Sequence, residues 1–310
     1  MTFLLPLTLL LTFGCDEKDT DDTGAGPTDG GASDGGGTSD GGTGDGGTGD
    51  GGTDGGTGDG GTGDGGTGDG GTEEVHWGYS DEDGHVPPED WALHWPDCGG
   101  DQQSPVDLQD EAVVSGPVAV LGLGWGESTV EIENNGHTMK WTVDEGSVFS
   151  LDGASYELVQ FHFHAGSEHW IGGVPYPMEV HFVHEHVETG ALLVLGILFT
   201  VGEESPFLDS IGWGAMPAEE GEIYIAEDAP YALAEAIPAD WYDFPGVLTY
   251  DGSLTTPPCT QGVQWVILGN FHSASEEQLD SFLVHYDGNA RPVQPLSGRT
   301  VELRRGELVE

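Results

Sequence analysis

Apolar and polar residues alternate, or β-branched residues run together, along six stretches of the chain: Thr129–Glu133, Thr138–Val143, Tyr156–His164, Met178–Val187, Leu192–Val201 and Val263–Leu268. Each is bounded by Gly, Pro or Asp, which is how strands read in sequence. One stretch has helical spacing instead. In SEEQLDSFLVHY, starting at Ser275, the positions Leu279, Phe282, Leu283 and Tyr286 share a face and acids fill the first turn. Strands far outnumber helices. The pattern therefore predicts a mainly β domain of the α+β kind, with a large, mostly antiparallel sheet and short helices at its margins.

The pattern breaks down toward the N-terminus. Residues 1–15, MTFLLPLTLLLTFGC, form an apolar run too short to span a bilayer, and from Asp16 the chain is acidic. The run reads as the core of an export signal. A Cys directly after Gly at its end resembles the bacterial lipoprotein cleavage site, where Cys15 would be lipidated and become the new N-terminus. An ordinary cleaved signal, or a misplaced start, with Cys15 incidental is the alternative. The expectation is an exported chain, periplasmic or at the cell surface, tethered to a membrane only through Cys15. Residues 16–74 read as a linker, which from about Gly41 repeats Gly-Gly-Thr-Gly-Asp, with Asp45, Asp50, Asp59, Asp64 and Asp69 in register and a slip at Asp54. Such repeats also occur in calcium-binding β-rolls, but those need an apolar residue in each repeat to fill the solenoid. Between Asp29 and Thr72 the only apolar side chain is Ala32, so nothing there offsets the entropy of ordering. The segment is expected to be a disordered spacer, roughly 40 Å long as a random coil.

Residues 75–310 remain for the folded part, enough for one large core. The whole chain has 6 Lys+Arg against 56 Asp+Glu, a formal charge of −50. That charge excludes nucleic acid and anionic membrane surfaces as natural partners. It also repels itself, and is tolerated best where salt screens it. Three cysteines rule out a disulfide-dense miniprotein.

Candidate chemistry concentrates in two of the strands. In Gln160-Phe161-His162-Phe163-His164 the side chains alternate faces, so His162 and His164 project together, about 7 Å apart, while the phenylalanines enter a core. Two such imidazoles can share a zinc ion. The strand Met178–His184 adds His181 as a third nitrogen, and Glu179 on the same face can accept that ligand's other N–H. Three His ligands leave one tetrahedral position open, the catalytic zinc pattern. His162-x-His164-x3-Glu168 also has the spacing of the first cupin motif, but the second cupin motif is absent, which leaves Glu168 outside the ligand set.

With these residues stands a wider match. HWGY (76–79), QSPVDL (103–108), NNGH (134–137), QFHFHAGSEH (160–169), MEVHFVH (178–184), LVLGILF (193–199), SLTTPP (253–258) and RPVQPL (291–296) make residues 75–310 resemble an α-class carbonic anhydrase. The resemblance implies a single domain with a central twisted ten-stranded sheet and a zinc site in a conical cleft. It implies reversible hydration of CO2 to bicarbonate and a proton by zinc-hydroxide attack. In this family zinc brings the pKa of bound water to about 7, and the family is itself the reference case for that value.

Roles transfer by position. His162, His164 and His181 match the zinc ligands, with Gln160 and Glu179 as outer partners of His162 and His181. Thr255 matches a gatekeeper hydroxyl whose proton Glu168 accepts, and Thr256 helps place bicarbonate. Val183, Val194, Leu254, Val263 and Trp265 match the apolar wall for CO2. His137 matches the proton shuttle, with Tyr79 and Asn135 ordering the water chain to it. Spacing alone makes His137 a turn histidine; only the resemblance gives it this role. The surrounding negative charge is expected to raise its pKa. The resemblance also pairs Cys98 with Cys259 in a disulfide, two buried free thiols being the alternative. His76, His85, His94, His169, His184, His186, His272 and His285 are expected to be structural or solvated. A zinc-free recognition module and a zinc esterase are the rival function classes; the complete ligand set speaks against the first, the narrow apolar wall and shuttle against the second.

Overall fold

The computed structural model describes residues 75–81, 84–109, 112–225, 230–237, 241–242, 246–286 and 288–309. The expected export run, Cys15 and the spacer to residue 74 lie outside these residues. Ten strands form the main path of the sheet: β1 (Val113–Ser115), β2 (Val130–Asn134), β3 (Met139–Val143), β4 (Ala154–Ala165), β5 (Met178–His186), β6 (Leu192–Val201), β7 (Ile223–Ile225), β8 (Val247–Ser253), β9 (Gln261–Leu268) and β10 (Val301–Arg304). Their order is β7-β2-β3-β4-β5-β6-β9-β8-β10-β1, and short flanking strands bring the sheet to 14 among the described residues. Neighbours run antiparallel except at β6–β9 and β10–β1, so the sheet is mixed, not purely antiparallel.

All six strands read from the sequence are present, with ends shifted by a few residues at most. Thr129, Thr138 and Val187 each fall one residue outside their strands, Val187 sitting exposed in the turn after β5. The helix, α1 (Glu276–Leu283), starts where expected because Ser275 and Gln278 close a reciprocal cap. It ends sooner than its apolar spacing suggested. Leu283 is 45% exposed, and Tyr286 lies beyond the helix, buried, donating its hydroxyl to Asn134 Oδ1 at 2.7 Å.

Alternation separates two apolar layers. From β6, Leu195, Ile197 and Phe199 enter one core, while Val194 and Leu198 enter another across the sheet. Phe161, Phe163 and Phe182 join the larger core, where Trp141 stacks on Phe161 with ring centroids 5.4 Å apart. This aromatic layer packs behind β4 and β5, on the face opposite the histidines. Losing one such buried Phe side chain costs about 3–5 kcal/mol. A third, small cluster joins Trp91 to the Cys98–Cys259 disulfide. The bond ties the segment before β1 to the loop between β8 and β9.

Candidate functional site

β4 and β5 pair so that His181 faces His162 and Glu179 faces His164. Opposed residues share a face of the sheet, and the three imidazoles converge with centroids 5.0, 5.4 and 4.6 Å apart. Each ring commits one nitrogen to the protein. His162 Nδ1–H donates to Gln160 Oε1 at 2.9 Å, His164 Nδ1–H to the Asn289 carbonyl at 2.7 Å, and His181 Nε2–H to Glu179 Oε1 at 2.9 Å. That leaves Nε2 of His162, Nε2 of His164 and Nδ1 of His181 as inward lone pairs. One ligand nitrogen from each of the three residues lies within 4.8 Å of the others, and His164 Nε2 is buried without a hydrogen-bond partner. A buried orphan nitrogen beside two others fits a metal ion with nitrogen ligands and one open position.

The electrostatics point the same way. Burial, then the neighbouring His164 and His181, hold His162 well below the usual histidine range. Burial also lowers His164, against the pull of Glu168. Both rings are thus kept neutral, the form that can ligate. Burial works against charge on His181 too, but the Glu179 carboxylate and its hydrogen bond raise it overall. Burial would raise Glu179, yet the charges and hydrogen bonds of His169 and His181 keep it well below the carboxylate range.

Around this centre the other expected residues take their places. Val183, Val194 and Trp265 are cross-strand neighbours in one row over β5, β6 and β9. With Val263 and Leu254 they belong to one apolar cluster, and the Trp265 ring lies 4.8 Å from that of His181. A cleft of about 150 Å³ opens beside His162 and His164, bordered by Trp77, Tyr79, Asn135, His137 and Thr256. Thr255 is buried in the β8–β9 loop that the disulfide pins.

The family profile described as eukaryotic-type carbonic anhydrase matches residues 86–305. A carbonic anhydrase of Pectobacterium atrosepticum is 37% identical over 238 residues, 74% of this chain and 91% of that protein. One of Neisseria gonorrhoeae is 38% identical over 235 residues, 73% of this chain and 87% of its own. Among solved structures, the alpha-carbonic anhydrase of Thermovibrio ammonificans in complex with the inhibitor sulfanilamide aligns with TM-score 0.68 and 38% identity, covering 74% of this chain and 99% of that one.

The chain belongs to the alpha carbonic anhydrase family.

Two expectations, one carried over from the family and one drawn from the charge of the chain, are corrected by the structure. The hydrogen bond from Thr255 to Glu168 is not formed: Glu168 Oε1 accepts the Arg291 amide at 2.8 Å, and Oε2 has no hydrogen-bond partner. That oxygen lies 3.5 Å from His164 Nε2 and 3.8 Å from His181 Nδ1. The second correction concerns His137, whose pKa is lowered, not raised. Burial is the main cause, the ring stacking on Trp77 with centroids 3.8 Å apart at 14°, and His85 and His76 outweigh the opposing pull of Glu220.

Two contributors to this carbonic anhydrase site escaped the sequence reading. His169, expected only to be structural or solvated, donates Nδ1–H to Glu179 Oε1 at 2.7 Å and accepts from the Tyr250 hydroxyl at 2.6 Å. Asn289 accepts from His164 through its carbonyl, and its amide donates to the carbonyls of His137 and Phe163 at 3.1 and 3.0 Å. It thereby ties the turn that carries His137 to β4.

Proposed function

We propose that the chain catalyses the reversible hydration of CO2 to bicarbonate and a proton, with zinc held by His162 Nε2, His164 Nε2 and His181 Nδ1. The observation that carries this reading is the convergence of three lone pairs whose partner nitrogens are all pinned. A zinc ion bound there supplies Lewis acidity that brings a coordinated water toward ionisation near neutral pH, as is standard for this family. Gln160, the Asn289 carbonyl and Glu179 fix the tautomers and aim the ligand nitrogens. Val183, Val194, Leu254, Val263 and Trp265 supply a water-excluding wall, suited to an uncharged linear substrate that needs shape more than hydrogen bonds. Thr255, buried in the β8–β9 loop, and Thr256, which borders the cleft, orient oxygens through their hydroxyls.

His137 receives the proton that each turnover releases and passes it to solvent, with Tyr79 and Asn135 bordering the path. Its lowered pKa favours release over retention. Export with residues 16–74 as a spacer, and lipidation of Cys15 as the tether, complete the proposal; radiolabelled palmitate incorporated by the full chain but not by Cys15→Ser supports the tether. Stopped-flow CO2 hydration beside hydrolysis of an activated ester tests the reaction. Zinc-dependent hydration with much slower ester cleavage is expected. Ester cleavage without CO2 hydration overturns the proposal in favour of a zinc esterase.

A further inference from the structure

Lys140 is the only lysine after Lys18 in a chain of formal charge −50, and it stands in the wall of the metal cleft. Its place is set by the sheet. On β3 it lies directly opposite His162 on β4, so both side chains leave the same face. Its ammonium pairs with Glu133, its cross-strand neighbour on β2, and its side chain stays 33% exposed toward the cleft. The other described cations do not border the cleft: Arg291 and Arg299 bind backbone carbonyls, Arg304 pairs with Asp152, and Arg305 is exposed after β10. An ammonium has three donors, and Glu133 with its two oxygens leaves at least one to face the cleft.

We infer that Lys140 forms an anion-binding position in the cleft wall, where a small monovalent anion, bicarbonate in the reaction proposed above, is held beside the metal site. A strongly acidic chain repels every anion from its surface, and a local cation where the product forms and the reverse substrate arrives counters that repulsion. Glu133 tunes the position, because it neutralises part of the charge that Lys140 presents. The inference rests on the proposed function for the identity of the anion, and on geometry alone for the site.

The test uses the full chain and 13C-labelled bicarbonate as the probe. Line broadening of bicarbonate is measured on the zinc-free protein at pH 8, and the Michaelis constants for bicarbonate and CO2 on the zinc-loaded protein. Lys140→Gln should weaken bicarbonate binding about fivefold, the upper end for a partly exposed ion pair. Lys140→Arg should retain it, Lys18→Gln should leave it unchanged, and Glu133→Gln should tighten it. On the zinc-loaded chain the KM for bicarbonate should rise more than the KM for CO2. Equal broadening by Lys140→Gln and the parent chain overturns the inference. The zinc-free arm does not depend on catalysis, so a chain that fails to hydrate CO2 refutes the proposed function while leaving Lys140 to be judged by binding.

Discussion

Replacing Glu179 by glutamine is the sharpest single perturbation of the centre. The carboxylate is fully buried and takes four hydrogen bonds: Oε2 accepts the amides of Glu168 and His169 at 2.9 and 2.8 Å, and Oε1 accepts His169 Nδ1–H and His181 Nε2–H at 2.7 and 2.9 Å. A glutamine keeps the shape but exchanges one oxygen for an NH2 group that can only donate. Whichever way the amide turns, two donors face donors. Two hydrogen bonds to a charged acceptor are lost, each worth about 1.5–3 kcal/mol, so the variant should be destabilised by about 3–6 kcal/mol. Gly196 makes room for this carboxylate, since a Cβ there would stand 3.0 Å from Glu179 Oε1. If the NH2 faces the rings instead, His181 must move its proton to Nδ1, the atom that would ligate, and zinc affinity should fall about 10–100-fold. Urea unfolding of the metal-free chain reads the first effect, and chelator competition for zinc reads the second. A Glu179→Gln chain with unchanged unfolding midpoint and zinc affinity within twofold would falsify the account of this carboxylate.

Other outcomes follow from the same geometry. The Cys98–Cys259 bond closes a separation of 161 residues, so Cys98→Ser with Cys259→Ser should lose up to about 5 kcal/mol of unfolding free energy, and a double variant as stable as the parent contradicts that. His184 is buried, with its pKa lowered to about 3, chiefly by desolvation. The unfolded chain therefore binds the extra proton between pH 6.5 and 3, and stability falls with pH across that window, by at most about 1.4 kcal/mol per unit. His184→Leu should flatten that slope in unfolding curves taken from pH 6 to 4, and an identical slope counts against it. Burial on Trp77 lowers the pKa of His137, so Trp77→Ala should move the acid-side inflection of buffer-limited turnover to higher pH, while His137→Ala should make turnover depend on added imidazole buffer.

Much of this was legible from local pattern, because period-2 alternation dictates faces without knowledge of the fold. Phe161 and Phe163 against His162 and His164 is the clearest case, and Met178–His186 follows the same logic. β8 was missed although it is almost wholly buried, since a strand covered on both faces shows no alternation and its Asp251-Gly252 reads as a turn. Strands of two or three residues, such as β1 and β7, carry too few positions for any period to register. His169 was set aside because alternation, carried on along β4, turns it from the metal face; the strand ends at Ala165, and beyond it the chain delivers the imidazole to Glu179. Asn289 could not be found from spacing at all, lying 125 residues from the histidine it orients. Charge was the poorest guide. The acidity of the whole chain suggested a raised pKa for His137, but desolvation at one ring and two nearby histidines outweigh it.

The central claim is that three convergent imidazole nitrogens make the reaction possible. The most direct measurement is a zinc titration of the stripped full-length chain, followed by the initial rate of CO2 hydration, for the parent and for His181→Ala. The account predicts a rate that rises linearly and breaks at one zinc per chain, and no such rise in the variant. Hydration that is independent of zinc, or a break that survives the loss of His181, contradicts it.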